Sequence, residues 1–280
     1  MPELPEVETV CRIMRRVLVG HRISDVEVVP DPIIFGDTPP EAIVAALKGR
    51  TVQRVGRKGK TWWIDCGSPP VLFGHLGMTG WIRELGAHTI RLKEHGEAPL
   101  DDTAGRPRFL KLLITTDEGK QISFTDARRL AHVWLGDSPA TNKKVSQLGP
   151  DALEDLPKGV HFNKLFAKRT APAKALLMDQ TFLSGIGNWV ADEVLYMAKI
   201  APKRTGSSLS TSELAKLRKA ILHVLQLAVD AGADHEKYPE TWMFHHRWGG
   251  ARGHQKIGNH DIVREQVGGR TTAWVPKVQK

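Results

Sequence analysis

The sequence predicts an α+β protein: a helix at its start, a β-rich first half, a helical second half and a β-hairpin near its end. Three observations support this prediction. Apolar residues recur at helical spacing near the start and again after residue 210, short β-prone runs fill residues 21–134, and a Gly-Gly pair joins two β-prone runs near the end. With 280 residues, the chain is long enough for two domains.

The first helix follows from the segment MPELPEVE. Proline suits a first helical turn because its missing N–H costs nothing there, and carboxylates suit the positive end of the helix dipole. A second interpretation is chemical, since removal of Met1 would leave Pro2 as a free secondary amine. The apolar positions of the predicted helix, which ends at Gly20, are Val7, Val10, Cys11, Met14, Val17 and Leu18.

The β-rich region contains six short runs, ISDVEVV, TVQRVGR, TWWIDC, VLFGHLGM, FLKLLITT and QISFTD, separated by turn residues. Many short strands at this spacing predict a sandwich or a barrel. The stretch from Glu84 to Arg108 is polar and predicts a long loop. A domain boundary is expected between Gly136 and Lys158, after which the chain becomes helical.

Two local signals predict elements in the second half of the chain. Ser210 and Glu213 form a capping-box pattern ahead of a long apolar stripe that Gly232 closes. Further on, Gly268-Gly269 predicts a two-residue hairpin turn with Arg270 at its tip.

The net charge is +9, from 40 Lys+Arg against 31 Asp+Glu, and the last 36 residues hold seven basic and two acidic residues, or +5 of it. A basic surplus favours nucleic acid as a binding partner first and an anionic membrane second.

The sequence also bears on the compartment. Two cysteines are too few for a disulfide framework, no apolar run could span a bilayer, and the N-terminus has carboxylates where a signal peptide needs positive charge. We therefore expect an intracellular protein, in the bacterial cytoplasm and nucleoid or in a nucleus, with no membrane contact.

Three further motifs are ambiguous alone. GIGN (185–188) places two glycines before an expected Asn188 N-cap, which indicates either an anion site or an ordinary interhelical turn. GHLGMTG (74–80) either projects Met78 from a tight loop or packs it into the core. DARRL (126–130) is typical of a solvated turn.

Taken in order, MPELPEVE, the Gly-Lys-Thr-Trp-Trp strand containing Lys60, GHLGMTG, TDARRL and MDQTFLSGIGNWVADEVLY resemble the formamidopyrimidine-DNA glycosylase / endonuclease VIII family of base-excision repair enzymes, nearer the formamidopyrimidine branch. The resemblance runs from Pro2 to Gln279. It implies a β-sandwich flanked by helices in a catalytic domain (1–140), a helix–two-turn–helix domain (150–244) and a finger hairpin (245–280), with damaged double-stranded DNA bound in the cleft between the halves. A monomer is expected.

The resemblance also implies the chemistry. Pro2 would attack C1′ of a damaged nucleotide, expel the base and form an iminium, and the strand would then be cut by β- and δ-elimination. Glu3 would move protons at the sugar, and Glu6 would hold or relay them.

DNA-binding roles carry over in two groups. Met78, Arg128 and Leu130 would fill the space left by the flipped base, although the third position is usually Phe in this family. Phosphate contacts would come from Lys60, His75, Asn188 and Arg270.

The finger departs from the family pattern. The four zinc-binding cysteines of relatives align with Gln255, Gly258, Val275 and Val278, which offer no thiolate, and the spacing of His245, His246, His254 and His260 matches no metal pattern. We therefore expect no zinc and no other cofactor. The hairpin is expected to be held by packing of Ile262, Val267, Trp274, Val275 and Val278.

The stretch from Asp230 to Arg247 is shorter than the corresponding region of relatives, which closes over flipped 8-oxoguanine. We expect weak activity on 8-oxoguanine compared with formamidopyrimidines and hydantoins. Two alternatives stay open. One is a non-catalytic binder of damaged, abasic or nicked DNA, and the other is an unrelated N-terminal-proline enzyme, which leaves the basic C-terminal segment unexplained.

Overall fold

The computed structural model describes residues 2–87, 99, 101–247 and 255–280. The chain divides into two compact units. Unit 1 is Met1–Gln147 with Gly232–Asp234, and unit 2 is Leu148–Ala231 with His235–Lys280. Residues 88–98 and 100 of the predicted long loop, and His254, lie outside the described residues.

The described residues of unit 1 form a long first helix, three short helices and eight strands. The helices are α1 (Leu4–Leu18), α2 (Pro32–Phe35), α3 (Pro40–Leu47) and α4 (Lys143–Ser146). The strands are β1 (Ile23–Val28), β2 (Arg54–Lys58), β3 (Thr61–Asp65), β4 (Val71–His75), β5 (Gly80–Glu84), β6 (Leu110–Thr116), β7 (Gln121–Asp126) and β8 (His132–Gly136).

These strands form two four-stranded antiparallel sheets, in the orders β1-β6-β7-β5 and β2-β3-β4-β8. Inward-facing residues of both sheets join one apolar core, which includes Trp62, Ile82 and Phe124. The prediction of a sandwich is therefore confirmed, and the barrel is excluded.

Helix α1 packs its apolar stripe into this core. Val7, Cys11 and Met14 are each no more than 1% exposed. The carboxylate of Glu8 on the same helix accepts hydrogen bonds from Arg15 at 2.7 Å and from the buried Arg57 of β2 at 2.8 Å. Burial alone would raise the pKa of Glu8, but the two guanidinium groups hold it below its ordinary value. A buried ion pair thus joins α1 to β2.

Unit 2 is helical with a terminal hairpin. Its helices are α5 (Gly159–Phe166), α6 (Ala173–Met178), α7 (Asn188–Ala198), α8 (Thr211–Asp230) and α9 (Met243–His246). Its strands are β9 (Lys256–Ile257), β10 (His260–Asp261), β11 (Val263–Val267) and β12 (Arg270–Trp274). The capping box of Ser210 and Glu213 begins α8 as predicted.

The sequence did not reveal every element. Strands β5 and β8 and helices α2 and α3 were not predicted. Helix α3 carries a proline at its first position, a usable start signal, but eight residues with adjacent β-branched side chains give a weak helical pattern. Strand β5 follows directly on a glycine-containing loop and has only five residues, too few for a clear alternation.

Candidate active site and nucleic-acid interface

The predicted catalytic residues lie at the start of α1. Glu3 is the N-cap of this helix, and its backbone N–H donates to the Glu6 carboxylate at 2.9 Å. Pro2 is buried, Glu3 is 1% exposed and Glu6 is 5% exposed. The structure therefore places two carboxylates and the ring of Pro2 together, shielded from water, at the positive end of a helix dipole. Glu6 orders this turn by closing it onto the backbone of Glu3.

Cationic and imidazole groups line one end of the sheet β2-β3-β4-β8. In the strand register, Thr61 pairs with His75 and His75 pairs with His132. Lys60, directly before Thr61, is 6% exposed. Lys60 and His75, predicted from separate motifs as phosphate contacts, are thus brought together, and His132 joins them.

The protonation state of His75 follows from its surroundings. Its Nδ1 accepts a hydrogen bond from the backbone N–H of Gly77 at 2.9 Å. Burial, with the nearby charges of Lys60 and His132, lowers the pKa of His75 to about 4. The ring is therefore neutral at physiological pH and carries its proton on Nε2, which suits it to donate a hydrogen bond to a phosphate oxygen.

Both predicted void-filling loops are tied to one buried carboxylate, that of Asp126. Asp126 is 1% exposed. It accepts hydrogen bonds from the hydroxyl of Thr79 (2.6 Å) and from the backbone N–H groups of Arg128 (3.1 Å), Leu130 (2.8 Å) and Ala131 (2.8 Å). Asp126 thereby holds the loop of Met78 and the loop of Arg128 and Leu130 in one arrangement.

The two loops also meet backbone to backbone. A Cβ atom on Gly77 would lie 2.1 Å from the carbonyl oxygen of Leu130, so only glycine fits there. Met78 is 43% exposed, Leu130 is 38% exposed and Arg128 is exposed. Met78 is therefore not a core residue, and all three predicted side chains project from the same pair of braced loops.

Arg129, between the two predicted residues, has a structural role. Its guanidinium donates two hydrogen bonds of 2.9 Å to Asp31, which also accepts from Lys111 at 2.9 Å. The Arg129 hydrogen bonds, with Lys111, hold the pKa of the buried Asp31 well below its ordinary range. Arg129 thus pairs with Asp31, and its neighbours Arg128 and Leu130 are exposed.

The sequence predicted Asn188 as the N-cap of α7, and this prediction is wrong. The N-cap is Gly187, and Asn188 is the first helical residue. The reason is that Gly187 adopts the extended backbone an N-cap requires (φ −129°, ψ −151°). The Asn188 side chain therefore lies beside the first turn of α7, and its Oδ1 has no hydrogen-bond partner among the described residues.

Arg270 is exposed at the hairpin tip, as predicted. Gly268 and Gly269 both have positive φ, +61° and +75°, as a two-residue hairpin turn between right-twisted strands requires. A Cβ on Gly268 would lie 2.9 Å from Ala175, so the tip lies against α6. The hairpin thus holds Arg270 on the helical body of unit 2.

A buried ion cluster joins the hairpin to α7. The carboxylate of Asp192, on α7, accepts hydrogen bonds from Lys174 at 2.5 Å, Arg247 at 2.9 Å and the backbone N–H of Ala273 at 3.2 Å. The side chains of Lys174 and Asp192 are fully buried, and that of Arg247 is 6% exposed. Asp192 lies one turn after Asn188, and Ala273 is on the strand that Arg270 begins.

The four positions of the family's zinc ligands do not fit a metal. Val275 is fully buried and packs with Met243, Ile257, Ile262 and Ala273, with Val278 against them. The side chain of Gln255 accepts from Arg264, and Gly258 has no side chain. Among residues 2–87, 99, 101–247 and 255–280, no three His, Cys, Asp or Glu side chains are grouped to hold a metal ion.

Sequence patterns missed the residues that position the site. Asp126, the Asp31–Arg129 pair and the Asp192 cluster join positions up to 98 residues apart. The motif TDARRL contained Asp126, but nothing in it indicated that its carboxylate would be buried beneath both loops.

Comparison with known proteins assigns both halves of the chain. Residues 1–133 match the family model of the formamidopyrimidine-DNA glycosylase N-terminal domain, and residues 148–239 match that of the formamidopyrimidine-DNA glycosylase H2TH domain. None of the helices in the described part of the chain is both long and apolar enough to span a membrane.

Similar proteins are named formamidopyrimidine-DNA glycosylases. A formamidopyrimidine-DNA glycosylase of Arabidopsis thaliana is 37% identical over 285 residues, covering 100% of this chain and 71% of the relative. That of Geobacter metallireducens is 33% identical over 278 residues, covering 94% and 97%. The crystal structure of the wild-type Lactococcus lactis enzyme with DNA containing N7-benzyl-Fapy-dG has a TM-score of 0.79 and 27% identity, with full coverage of both chains. This chain belongs to the formamidopyrimidine-DNA glycosylase family.

Proposed function

We propose that this protein excises oxidised bases from double-stranded DNA and cuts the strand through a covalent intermediate on Pro2. Family membership makes it a DNA glycosylase of base-excision repair with AP lyase activity. The observation that carries the assignment to Pro2 is the buried group of Pro2, Glu3 and Glu6 at the start of α1.

The reaction needs an uncharged amine. An N-terminal amine has an ordinary pKa of about 7.7–8.0, and burial together with the positive helix end disfavours its charged form. With Met1 removed, the lone pair of the Pro2 nitrogen forms a bond to C1′ while the base departs with the electrons of its glycosidic bond. The attached nitrogen then loses its proton, and its lone pair displaces the ring oxygen from C1′. That oxygen gains a proton, the sugar ring opens and the iminium forms.

Glu3 is the proposed proton carrier at the sugar. The iminium acidifies C2′, so loss of a proton there expels the 3′ phosphate, and a second elimination expels the 5′ phosphate. Glu6, bonded to the backbone of Glu3, keeps the first turn of α1 in place for these transfers.

We propose that the protein makes two kinds of contact with DNA. Lys60, His75, Asn188 and Arg270 are proposed to bind phosphates, which gives affinity and register. Extrusion of the damaged base costs a few kcal/mol. We propose that Met78, Arg128 and Leu130 fill the space it leaves, and their exposure on two braced loops supports this role.

Borohydride trapping on single-lesion duplexes tests the proposal. Borohydride reduces an iminium to a stable amine, so the protein should become covalently joined to the lesion strand. A panel with formamidopyrimidine, hydantoin and 8-oxoguanine lesions should trap least with 8-oxoguanine, as the short 230–247 stretch suggests. A related protein has been crystallised with DNA that contains an oxidised pyrimidine, so such a lesion also belongs in the panel. A protein that binds these duplexes without any trapped product is a non-catalytic binder.

A zincless finger is part of this proposal. It is supported by the apolar packing of Val275 and Val278 and by the buried link from Asp192 to β12, which hold the hairpin without metal ligands. Elemental analysis of purified protein should find far less than one zinc per chain, and prolonged chelation should leave incision unchanged. One stoichiometric zinc, lost together with activity on chelation, would contradict it. We further propose that the enzyme acts as a monomer inside the cell.

A further inference from the structure

Phe109 is an exposed aromatic residue in a strained conformation. It precedes β6, its backbone has φ +60°, and its side chain is 47% exposed. The guanidinium of Arg108 lies 5.4 Å from the centre of its ring. No role for either residue followed from the sequence.

Burial of the Phe109 ring compensates only in part for the strain of its backbone. A positive φ is uncommon for residues other than glycine and is unusual for a bulky side chain. Such conformations cost on the order of 1 kcal/mol or more and concentrate at functional sites. A strained core phenylalanine would recover that free energy by burial, but about half of this ring faces solvent.

The fold places Phe109 beside the void-filling loops. Its carbonyl accepts a hydrogen bond from the backbone N–H of Asp126 at 3.1 Å. The next residue, Leu110, pairs with Thr125 in the sheet. Asp126 is also the residue whose carboxylate holds the Met78 loop and the Leu130 loop, so Phe109 is joined to the same anchor.

We propose that Phe109, with Arg108 against its ring, is a further DNA-contacting residue that stacks on a base next to the vacated position. It would supply the aromatic surface that Leu130 lacks at the usual Phe position. The surrounding chemistry fits nucleic acid, because Arg108 and Arg128 are both exposed cations on this edge. An aromatic face stacks on any base, and an arginine beside it adds attraction to the phosphates. This inference rests on the proposed glycosylase function.

The test compares Phe109→Gly with Phe109→Tyr. Glycine accepts φ +60° without strain, which offsets part of the packing lost with the half-buried ring, so Phe109→Gly should fold and melt close to wild type. Stacking of one base changes binding by about 1–3 kcal/mol, so kcat/KM for excision of a formamidopyrimidine should fall roughly tenfold. Phe109→Tyr keeps the ring and should stay within about twofold of wild type.

A trapping measurement separates this inference from the proposed function, and two further variants test the role of the ring. Trapping on a preformed abasic duplex at saturating protein needs no base extrusion and should be preserved in Phe109→Gly; a wild-type protein that fails to trap would refute the proposed function instead. Adding Leu130→Phe to Phe109→Gly should restore most of the lost excision. Val19→Ala removes another exposed apolar side chain, 38% exposed, at the opposite end of α1 from Glu3, and should have no effect. Wild-type excision by Phe109→Gly, or a loss that Leu130→Phe does not relieve, would overturn the inference.

Discussion

Replacing Glu3 by glutamine is expected to slow base excision and strand incision by about 10²–10⁴-fold, the range contributed by a positioned general acid or base. Glutamine keeps the size and the hydrogen-bonding capacity of the side chain at the start of α1, but it cannot take up or release a proton. The residues proposed to bind phosphates are unchanged, so affinity for a duplex with a stable abasic-site analogue should stay within a few-fold of wild type. Single-turnover cleavage and a binding titration measure the two quantities.

Glu118→Gln is the matched control. It makes the same acid-to-amide change in unit 1, at an exposed residue that pairs with Lys120 in a turn. Its activity should equal that of wild type, because surface substitutions of this kind change stability by no more than about 0.5 kcal/mol. If Glu3→Gln incised DNA as fast as Glu118→Gln, Glu3 would have no role in proton transfer.

Replacing Asp192 by asparagine should destabilise the protein by about 3–5 kcal/mol, the usual cost of removing one partner of a buried ion pair. The carboxylate interacts with the fully buried Lys174 and with Arg247, and asparagine cannot balance either charge. Urea unfolding followed by circular dichroism measures the loss. Because Asp192 also binds the backbone of β12, the variant should lose DNA affinity by disturbing Arg270.

The double variant Lys174→Met with Asp192→Leu separates charge from packing. Replacing both charges of a buried pair by apolar residues is often neutral or stabilising, so this variant should be more stable than Asp192→Asn. The double variant still leaves Arg247, whose side chain is 6% exposed, without the Asp192 carboxylate, so it should remain less stable than wild type. A loss below about 1 kcal/mol in Asp192→Asn would show that the cluster does not hold the hairpin.

Local signals in the sequence identified the elements whose ends carry capping residues or turn glycines. Proline and carboxylates mark the start of α1, Ser210 and Glu213 mark the start of α8, and Gly268-Gly269 marks the hairpin. Each is a short-range preference of the backbone, so it is readable from a few neighbouring residues.

Long-range contacts explain what the sequence did not disclose. The burial of Asp126, the ion pair of Asp31 with Arg129 and the strained backbone of Phe109 exist only because distant strands meet. The family resemblance predicted which side chains contact DNA, but it did not indicate which residues hold those side chains in place. For the same reason, the exposed aromatic ring of Phe109 could not be distinguished from an ordinary strand residue.

The close approach of Gly77 to the carbonyl of Leu130 fixes the two loops through their backbones and not through the side chains that project from them. Since the two loops are locked through their main chains and through Asp126, the side chains at positions 78, 128 and 130 can be exchanged without rebuilding either loop. Under the proposed void-filling role, single substitutions at positions 78, 128 and 130 would alter the damage preference, whereas a change at Gly77 would disturb all three positions at once.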